Sequence, residues 1–286
     1  MDLFILTDEH LAARIIAGLV LATAIAALAW RARALTRSGA FAAAIVGACA
    51  VAAGWSWGAM LLAFFASATL LSRVRRGEKA LRTAGVAAKD DERDAIQVLA
   101  NGALFAAAAV MFKLRWAAAW GTVDPSPALT ASWMVLGAGA ISAACADTWS
   151  TEIGTLARTP PRLITTRRPV PAGTSGGVTV YGLLGMAGGA LFMGATAWSV
   201  RWPPRVAVAA VAGGIAGALA DSFLGATVQA KRRCPRCGAL TERDVHDCGT
   251  ETEPAGGIAW LDNDAVNALA TGVGALAAFA AWRALL

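Results

Sequence analysis

A chain of 286 residues that is 57% hydrophobic and only 15% charged, with a mean hydropathy of +0.56, is not a soluble globular domain and belongs in a lipid bilayer. Its net charge of +6 does not call for a nucleic-acid partner, because the basic residues follow the loop asymmetry of a membrane protein.

Apolar runs long enough to cross a hydrocarbon core fall at about 11–30, 39–54, 57–72, 96–112, 130–146, 178–199, 206–229 and 264–285. The expected fold class is therefore all-α: a single polytopic bundle over 1–286 with about eight transmembrane helices. Asp2, Asp8 and Glu9 precede the first run and Arg31, Arg33 and Arg37 follow it, so that run reads as a retained helix with its N-terminus outside. Between the second and third runs, Trp55-Ser56-Trp57-Gly58 suits an interfacial turn with aromatic anchors.

Threading the helices in order puts loops 31–38, 73–95, 147–177 and 230–262 on one side, with 19 of the 25 basic residues. The opposite loops hold Lys113, Arg115, Arg201 and Arg205. The positive-inside rule makes the long loops cytoplasmic and both termini external, and the chain is expected in a bacterial-type cytoplasmic membrane as a multi-pass protein.

Polar side chains gather at that same cytoplasmic level. Arg93, Gln97 and Asn101 recur every four residues at the start of the fourth run, on one helix face. The fifth run delivers "ADTWSTEIGTL" with Asp147, and Glu152 is a reserve acid that faces the same site only if the helix ends near Thr151. Asp221, followed by Ser222, interrupts an apolar run, where an ion costs roughly 2.5–3.5 kcal/mol and should face the bundle interior. Asn263, Asp264 and Asn267 open the last run. Singly, such residues often glue helices or cap them. Together, on one side only, they read as a buried acidic site.

Asp147, Asp221 and Asp264 are hard oxygen donors without histidine, the ligand type that suits Mg²⁺ bridged to phosphate oxygens. In "RLITTRRPVPAGTSGGVTVYG", Gly173, Thr174, Ser175, Gly176 and Gly177 precede the sixth run and could expose backbone N–H groups to phosphate, with Arg162, Arg167 and Arg168 nearby. An ordinary turn is the plain alternative. Lys79 and Arg82 are further candidate contacts, although most of that loop's charge is topological.

Five stretches carry a family resemblance. "RDAIQVLANG", "TASWMVLGAGAISAACADTWSTEIG", "PRLITTRRPVPAGTSGGVTVYGLLG", "GALADSFLGATVQ" and "WLDNDAVNALAT" resemble, in order, the signatures of the domain-of-unknown-function-92 family, the transmembrane protein 19-like group. That family includes the plant phytyl-phosphate kinase and is distantly similar to CTP-dependent polyprenol and phytol kinases. The resemblance implies Mg²⁺-dependent phosphoryl transfer from CTP to an isoprenyl monophosphate, giving the diphosphate. Asp147, Glu152, Asp221, Asp264 and Arg93 would be catalytic. Gln97, Asn101, Arg167, Gly173, Thr174, Ser175, Gly176, Gly177, Ser222, Asn263 and Asn267 would hold the nucleotide. A phosphate oxygen is already a nucleophile, so positioning and charge neutralisation suffice. The partners implied are the isoprenyl phosphate, the nucleotide and membrane lipid; a homo-oligomer stays open.

"CPRCGALTERDVHDCG" departs from this pattern: Cys234, Cys237, His246 and Cys248 have spacing suited to a closed, structural Zn²⁺ site in the 230–262 loop. Unlinked side chains in a reducing compartment are the alternative. Of the 11 tryptophans, Trp30, Trp55, Trp57, Trp116, Trp120, Trp202 and Trp260 read as an aromatic belt, and Trp149 as a candidate for base stacking. A lipid-phosphate flippase and a CTP-dependent lipid cytidylyltransferase are the rival functions. Against the flippase, such carriers usually place their site near the midplane between repeated halves, and this sequence shows neither an internal repeat nor polar residues towards the outer side.

Overall fold

The computed structural model describes residues 11–86, 92–118 and 127–286, with side chains omitted for Leu11 and for 115–118 and 127–129. In chain order the helices are α1 (Leu11–Arg31), α2 (Arg37–Ala53), α3 (Trp55–Arg73), α4 (Arg76–Thr83), α5 (Ala95–Ala118), α6 (Pro127–Gly154), α7 (Val180–Ser199), α8 (Pro204–Thr227) and α9 (Asn263–Ala284). The strands are β1 (Arg162–Leu163), β2 (Gly177–Val178), β3 (Lys231–Arg233), β4 (Leu240–Thr241) and β5 (Glu253–Gly256). Each of the eight apolar runs becomes one long helix. Among the described residues, α1, α3, α5, α7, α8 and α9 are long and apolar enough to cross a membrane, and α2 is a shorter apolar helix. The chain is thus a multi-pass integral membrane helix bundle. Asp2, Asp8, Glu9 and Trp120 lie outside the described residues, as does the side chain of Trp116.

Helix α6 is the central post, packed against α5, α7, α8 and α9, while α1 lies on α2 at the periphery. Close approach of α6, α8 and α9 follows from glycine. A methyl group built at Gly213 would lie 2.8 Å from the Ala278 Cβ and 3.0 Å from the Gly139 Cα, and one at Gly274 would lie 2.6 Å from the Ala143 Cβ. Small residues bring backbones together where the hydrophobic effect offers little drive between helices.

Three elements depart from the sequence reading. The fifth helix does not stop at 146 but runs to Gly154. Its final turns are sheltered by protein rather than lipid, and the hydroxyls of Thr148 and Thr155 donate back to the carbonyls of Ala144 (2.8 Å) and Thr151 (2.7 Å). Trp57 and Trp202 are not belt residues: they are 1% and 3% exposed and meet edge-on in the core at 4.9 Å. Trp30, Trp55 and Trp260 do stand exposed. Helix α4, which has no counterpart among the apolar runs, braces the end of α6. Its Lys79 Nζ pairs with the Glu152 carboxylate and donates to the carbonyls of Leu71 (2.7 Å) and Ser72 (2.9 Å), and Arg82 donates to the Ala157 carbonyl.

The pairing is mostly shielded, with side-chain exposures of 10% for Lys79 and 20% for Glu152. Lys79→Met should therefore strand a carboxylate and cost roughly 2 kcal/mol, below the value of a fully buried pair. Denaturant unfolding in detergent measures it, and adding Glu152→Gln should restore most of the loss; an unchanged midpoint in the single variant would refute the brace.

Candidate functional site

One end of the bundle opens into a cavity of about 1130 Å³. Helix α6 brings Asp147 and Glu152 to its wall, α8 brings Asp221 and Ser222, and α9 brings Asn263, Asp264 and Asn267. Arg93, Gln97 and Asn101 arrive from the start of α5, and the glycine loop 173–177 closes another side. Residues far apart in the chain thus meet around one space.

Local chemistry explains each placement. Arg93 is fixed through its backbone, whose N–H donates to the Ala34 carbonyl (3.2 Å) and whose carbonyl accepts from the Thr36 N–H (3.1 Å). Gly39 is needed beside it, because a Cβ there would collide with the Arg93 carbonyl oxygen. Burial holds the Arg93 guanidinium below its ordinary pKa, and the Glu152 carboxylate pulls the other way; an arginine stays charged in either case. Asp94 and Gln97 form a reciprocal cap on α5, with the Gln97 N–H donating to Asp94 Oδ1 (2.9 Å) and the Asp94 N–H to Gln97 Oε1 (3.1 Å). Asn101 Nδ2 donates to the Gln97 carbonyl at 3.0 Å. Asp262 caps α9 by accepting from the Ala265 N–H at 2.9 Å, with the buried Asp264 two residues further on in the first turn.

Asp221 stands out. Its Oδ2 is buried without a hydrogen-bond partner among the described residues, and the charges it feels are Asp147 and Glu242. A buried, unsatisfied carboxylate oxygen facing further carboxylates is costly unless a cation joins them. Asp147 and Asp221, which feel each other's charge on the wall of a cavity large enough for phosphates, are hard oxygen donors of the type Mg²⁺ takes; Asp264 lines the same cavity, but the three are not gathered into a tight ligand group, which among the described residues only Cys234, Cys237, His246 and Cys248 form.

Not every expectation holds. Arg167 is turned away; its φ of 58° places it in a tight turn, with its N–H donating to the Leu163 carbonyl at 2.8 Å, and Arg162 and Arg168 are likewise exposed and off the cavity wall. The glycine loop is more tied down than a free phosphate cradle, since the N–H groups of Thr174 and Gly177 donate to the carbonyls of Pro171 (3.2 Å) and Thr174 (3.0 Å). Strand β2 separates it from α7, which is capped instead by Thr179. Glu152, on a helix that runs past Thr151, is bound to Lys79 and is not a free ligand. Trp149 is committed to the core, donating from Nε1 to Ser67 Oγ (3.2 Å) and stacking on Phe192 at 5.3 Å.

The loop 230–262 contributes what the sequence reading lacked. Strands β4, β3 and β5 form an antiparallel ribbon in that order, closed at its base by the Ala230 N–H donating to the Leu261 carbonyl at 2.8 Å. It carries Glu242 and Lys231 to the cavity wall. The Ser175 hydroxyl donates to the Glu242 carboxylate, and Gln229 Nε2 donates to both Ser175 Oγ (2.9 Å) and Glu242 Oε1 (3.1 Å). Burial raises the Glu242 pKa, while the Ser175 hydrogen bond and Lys231 lower it.

The ribbon's tip gathers Cys234, Cys237, His246 and Cys248, whose ligand atoms all lie within 4.8 Å of one another. Cys234 Sγ is 3.6 Å from Cys248 Sγ and His246 Nδ1 is 3.3 Å from it, near the separation of about 3.8 Å that Zn–S bonds of about 2.3 Å impose in a tetrahedron. The Cys237 N–H points at Cys234 Sγ (3.4 Å), as second-sphere donors to zinc thiolates do. Hydrogen bonds from Thr250 and His246 hold the Cys248 thiol down at about 5, whereas Cys237, facing Cys248, is pushed up to about 11. The donors fit Zn²⁺ as a closed structural set. Elemental analysis of the purified protein should find about one zinc per chain, lost in Cys234→Ser. A zinc-free protein with an unchanged melting temperature would remove the ion from the account.

A polytopic bundle of apolar helices with a cavity lined by several carboxylates at one end defines a class of multi-pass integral membrane protein. The chain belongs to the family described as integral membrane protein DUF92, whose model matches residues 20–275. It is 31% identical over 268 residues to Protein PGR of Arabidopsis thaliana, covering 89% of this chain and 91% of that protein. To the uncharacterized membrane protein MJ0933 of Methanocaldococcus jannaschii it is 35% identical over 183 residues, covering 62% and 67%. No solved structure matches the chain.

Proposed function

We propose that this protein is a membrane-embedded prenyl-phosphate kinase that transfers the γ-phosphoryl group of CTP, or of another nucleoside triphosphate, to an isoprenyl monophosphate. The observation that carries this reading is the convergence of Asp147, Asp221 and Asp264, from three different helices, on one cavity that also holds Arg93. Carboxylates facing a fixed arginine, on a wall that carries no histidine or cysteine among the described residues, suit a reaction whose nucleophile is itself a phosphate oxygen.

When bound by Asp147, Asp221 and Asp264, Mg²⁺ would supply charge neutralisation at the nucleotide phosphates. The chain's own residues do the rest. Arg93, fixed by its backbone, faces the acceptor phosphate with permanent positive charge. Lys231 offers a further cation from the ribbon, and Asn263 and Asn267 offer neutral hydrogen bonds beside Asp264. The ribbon and the glycine loop, joined through Ser175, Gln229 and Glu242, wall the cavity from bulk water. Orientation follows from the loop charges: the cavity lies on the side of the long basic loops, which is cytoplasmic under the positive-inside rule, in a bacterial-type inner membrane.

The test is direct. Purified protein, Mg²⁺, CTP and a panel of isoprenyl monophosphates are incubated and both lipid and nucleotide products followed by mass spectrometry. Isoprenyl diphosphate with CDP is expected. A CDP-lipid with pyrophosphate would replace the kinase by a cytidylyltransferase, and binding without any product would favour transport.

A further inference from the structure

A second space lies inside the bundle, of about 290 Å³ and almost wholly apolar in lining. Its walls come from four helices: Leu21 and Ile25 of α1, Val46 and Val51 of α2, Phe65 of α3 and Val98 of α5. At one end its wall is Arg93, Gln97, Asn101 and Thr148, and all four also line the carboxylate cavity. The two spaces are therefore neighbours across a polar collar, one suited to charge and the other to hydrocarbon.

We propose that this groove is the subsite for the tail of a single-chain lipid phosphate, whose head passes the collar into the carboxylate cavity; the proposal rests on the kinase reading above. The dimensions and lining choose the occupant. Along α3 the groove runs from Trp55 to Phe65, about 15 Å at the helical rise, so it takes a chain of limited length. A space near the lower end of ordinary ligand pockets has room for one hydrocarbon chain and not for the paired chains of a diacyl lipid. Its mouth faces the membrane, since Leu21, Trp55 and Leu62 on the rim are exposed by 44%, 38% and 45%, so a lipid can enter sideways without leaving the bilayer. The collar residues are held by their own helices: Gln97 is fixed by the cap at Asp94, Asn101 by the Gln97 carbonyl and Thr148 by the Ala144 carbonyl. That arrangement pins the head-to-tail junction at one depth.

Selectivity must come from shape. Surrounding lipid is as apolar as the groove, so a longer tail gains little from burial alone, and preference for a chain reflects how well the walls meet it. Ala43 on α2 and Ala59 on α3 are small, half-buried wall residues, and enlarging either shortens the space.

The experiment measures binding of dimethylallyl, farnesyl and geranylgeranyl monophosphates to the full-length protein in nanodiscs, comparing wild type with Ala59→Phe and Ala43→Phe. Expected is a loss of about tenfold in affinity for the longest chain in each folded variant; dimethylallyl monophosphate should be unaffected by Ala59→Phe, next to Gly58 and level with Val51 at the end away from the collar, but weakened by Ala43→Phe, one turn from the Gly39 that abuts Arg93. Unchanged long-chain affinity in a variant of normal melting temperature overturns the groove while leaving the kinase reading standing. Failure of the wild type to bind any of these phosphates sinks that reading and the groove with it. Should neither variant fold, a prenyl phosphate carrying a terminal diazirine is photolysed on wild-type protein. Labels within 46–51 or 55–65 support the groove; labels confined to α7 or α8 overturn it. Displacement by a diacyl phosphatidic acid as effective as by the single-chain phosphate would overturn the single-chain assignment.

Discussion

Asp221→Asn should lower phosphoryl transfer by about 10²–10³-fold or more while leaving the protein as stable as before, or more so. The two halves of this expectation come from the same atoms. The Asp221 Oδ2 is buried and accepts no hydrogen bond among the described residues, so replacing the acid by its amide breaks no internal bond. It also removes a negative charge that faces Asp147 and Glu242, and relief of like-charge contact raises stability. A group kept at a cost to folding belongs to function, and its neutralisation should show the stability-for-activity exchange typical of such sites. Asp147→Asn and Asp264→Asn remove the other two candidate ligands and should be comparably inactive. Initial rates at saturating Mg²⁺ and thermal unfolding in the same detergent decide the matter. Near-normal turnover in all three variants would discard the carboxylate site, whereas a melting temperature lowered in step with activity would show the acids to be structural.

What the sequence disclosed depends on range. The long helices are legible because apolar length is a local property, and the gathering of Cys234, Cys237, His246 and Cys248 is legible because Cys234 and Cys237, and then His246 and Cys248, are close in the chain. The meeting of Asp147, Asp221 and Asp264 in one cavity could be anticipated only because helix direction, counted from the loops, delivers all three to the same membrane face. Pairings without such a rule were hidden. Nothing local in Glu152 says that Lys79, on another helix, will occupy it, and a polar stretch such as Thr148 to Gly154 looks like a helix end until the surrounding bundle is known to shelter it. Arg167 looked available to phosphate by proximity to the glycine loop, but the turn at 163–168 points it outward. Glu242 is the opposite case: an unremarkable acid in a charged loop, brought to the cavity by a ribbon whose pairing links 231–233 with 253–256. Trp57 misled because a tryptophan beside a turn fits a belt equally well as a core.

The ribbon gives the cluster of Cys234, Cys237, His246 and Cys248 a reach beyond its own loop. Glu242 donates its N–H to the Val86 carbonyl at 3.0 Å while its side chain holds Ser175, so a single residue ties the segment after α4 to the glycine loop. Zinc held by the four candidate ligands at the tip would order β3, β4 and β5 and so be felt at the cavity wall, which none of the four lines.

Gly213→Val should be strongly damaging although it is remote from the cavity. The Cβ it introduces would fall 2.8 Å from the Ala278 Cβ and 3.0 Å from the Gly139 Cα, at the point where α6, α8 and α9 cross. Overpacking of this kind costs about 1–3 kcal/mol, and more where backbone rather than a flexible side chain must move. The functional consequence follows from register. Gly139 and Gly213 each precede their helix's acid, Asp147 and Asp221, by eight residues, so the crossing lies about 12 Å from both carboxylates. Asp264 precedes Gly274 by ten residues on α9, about 15 Å along a helix of opposite direction. Wedging the crossing apart rotates or shifts all three acids together, and displacement of about 1 Å costs on the order of 10²-fold in rate. Molecules that still fold should therefore lose turnover while keeping their affinity for the lipid. Gly272→Val on α9 is the control, because a Cβ there meets nothing within 4 Å although the gain in helix propensity is the same. Melting temperatures and initial rates of the two variants, measured side by side, isolate the crossing from the substitution itself. Equal behaviour of Gly213→Val and Gly272→Val would mean that the three acids are held in place from above, by the ribbon and loops, and not by the glycine crossing beneath them.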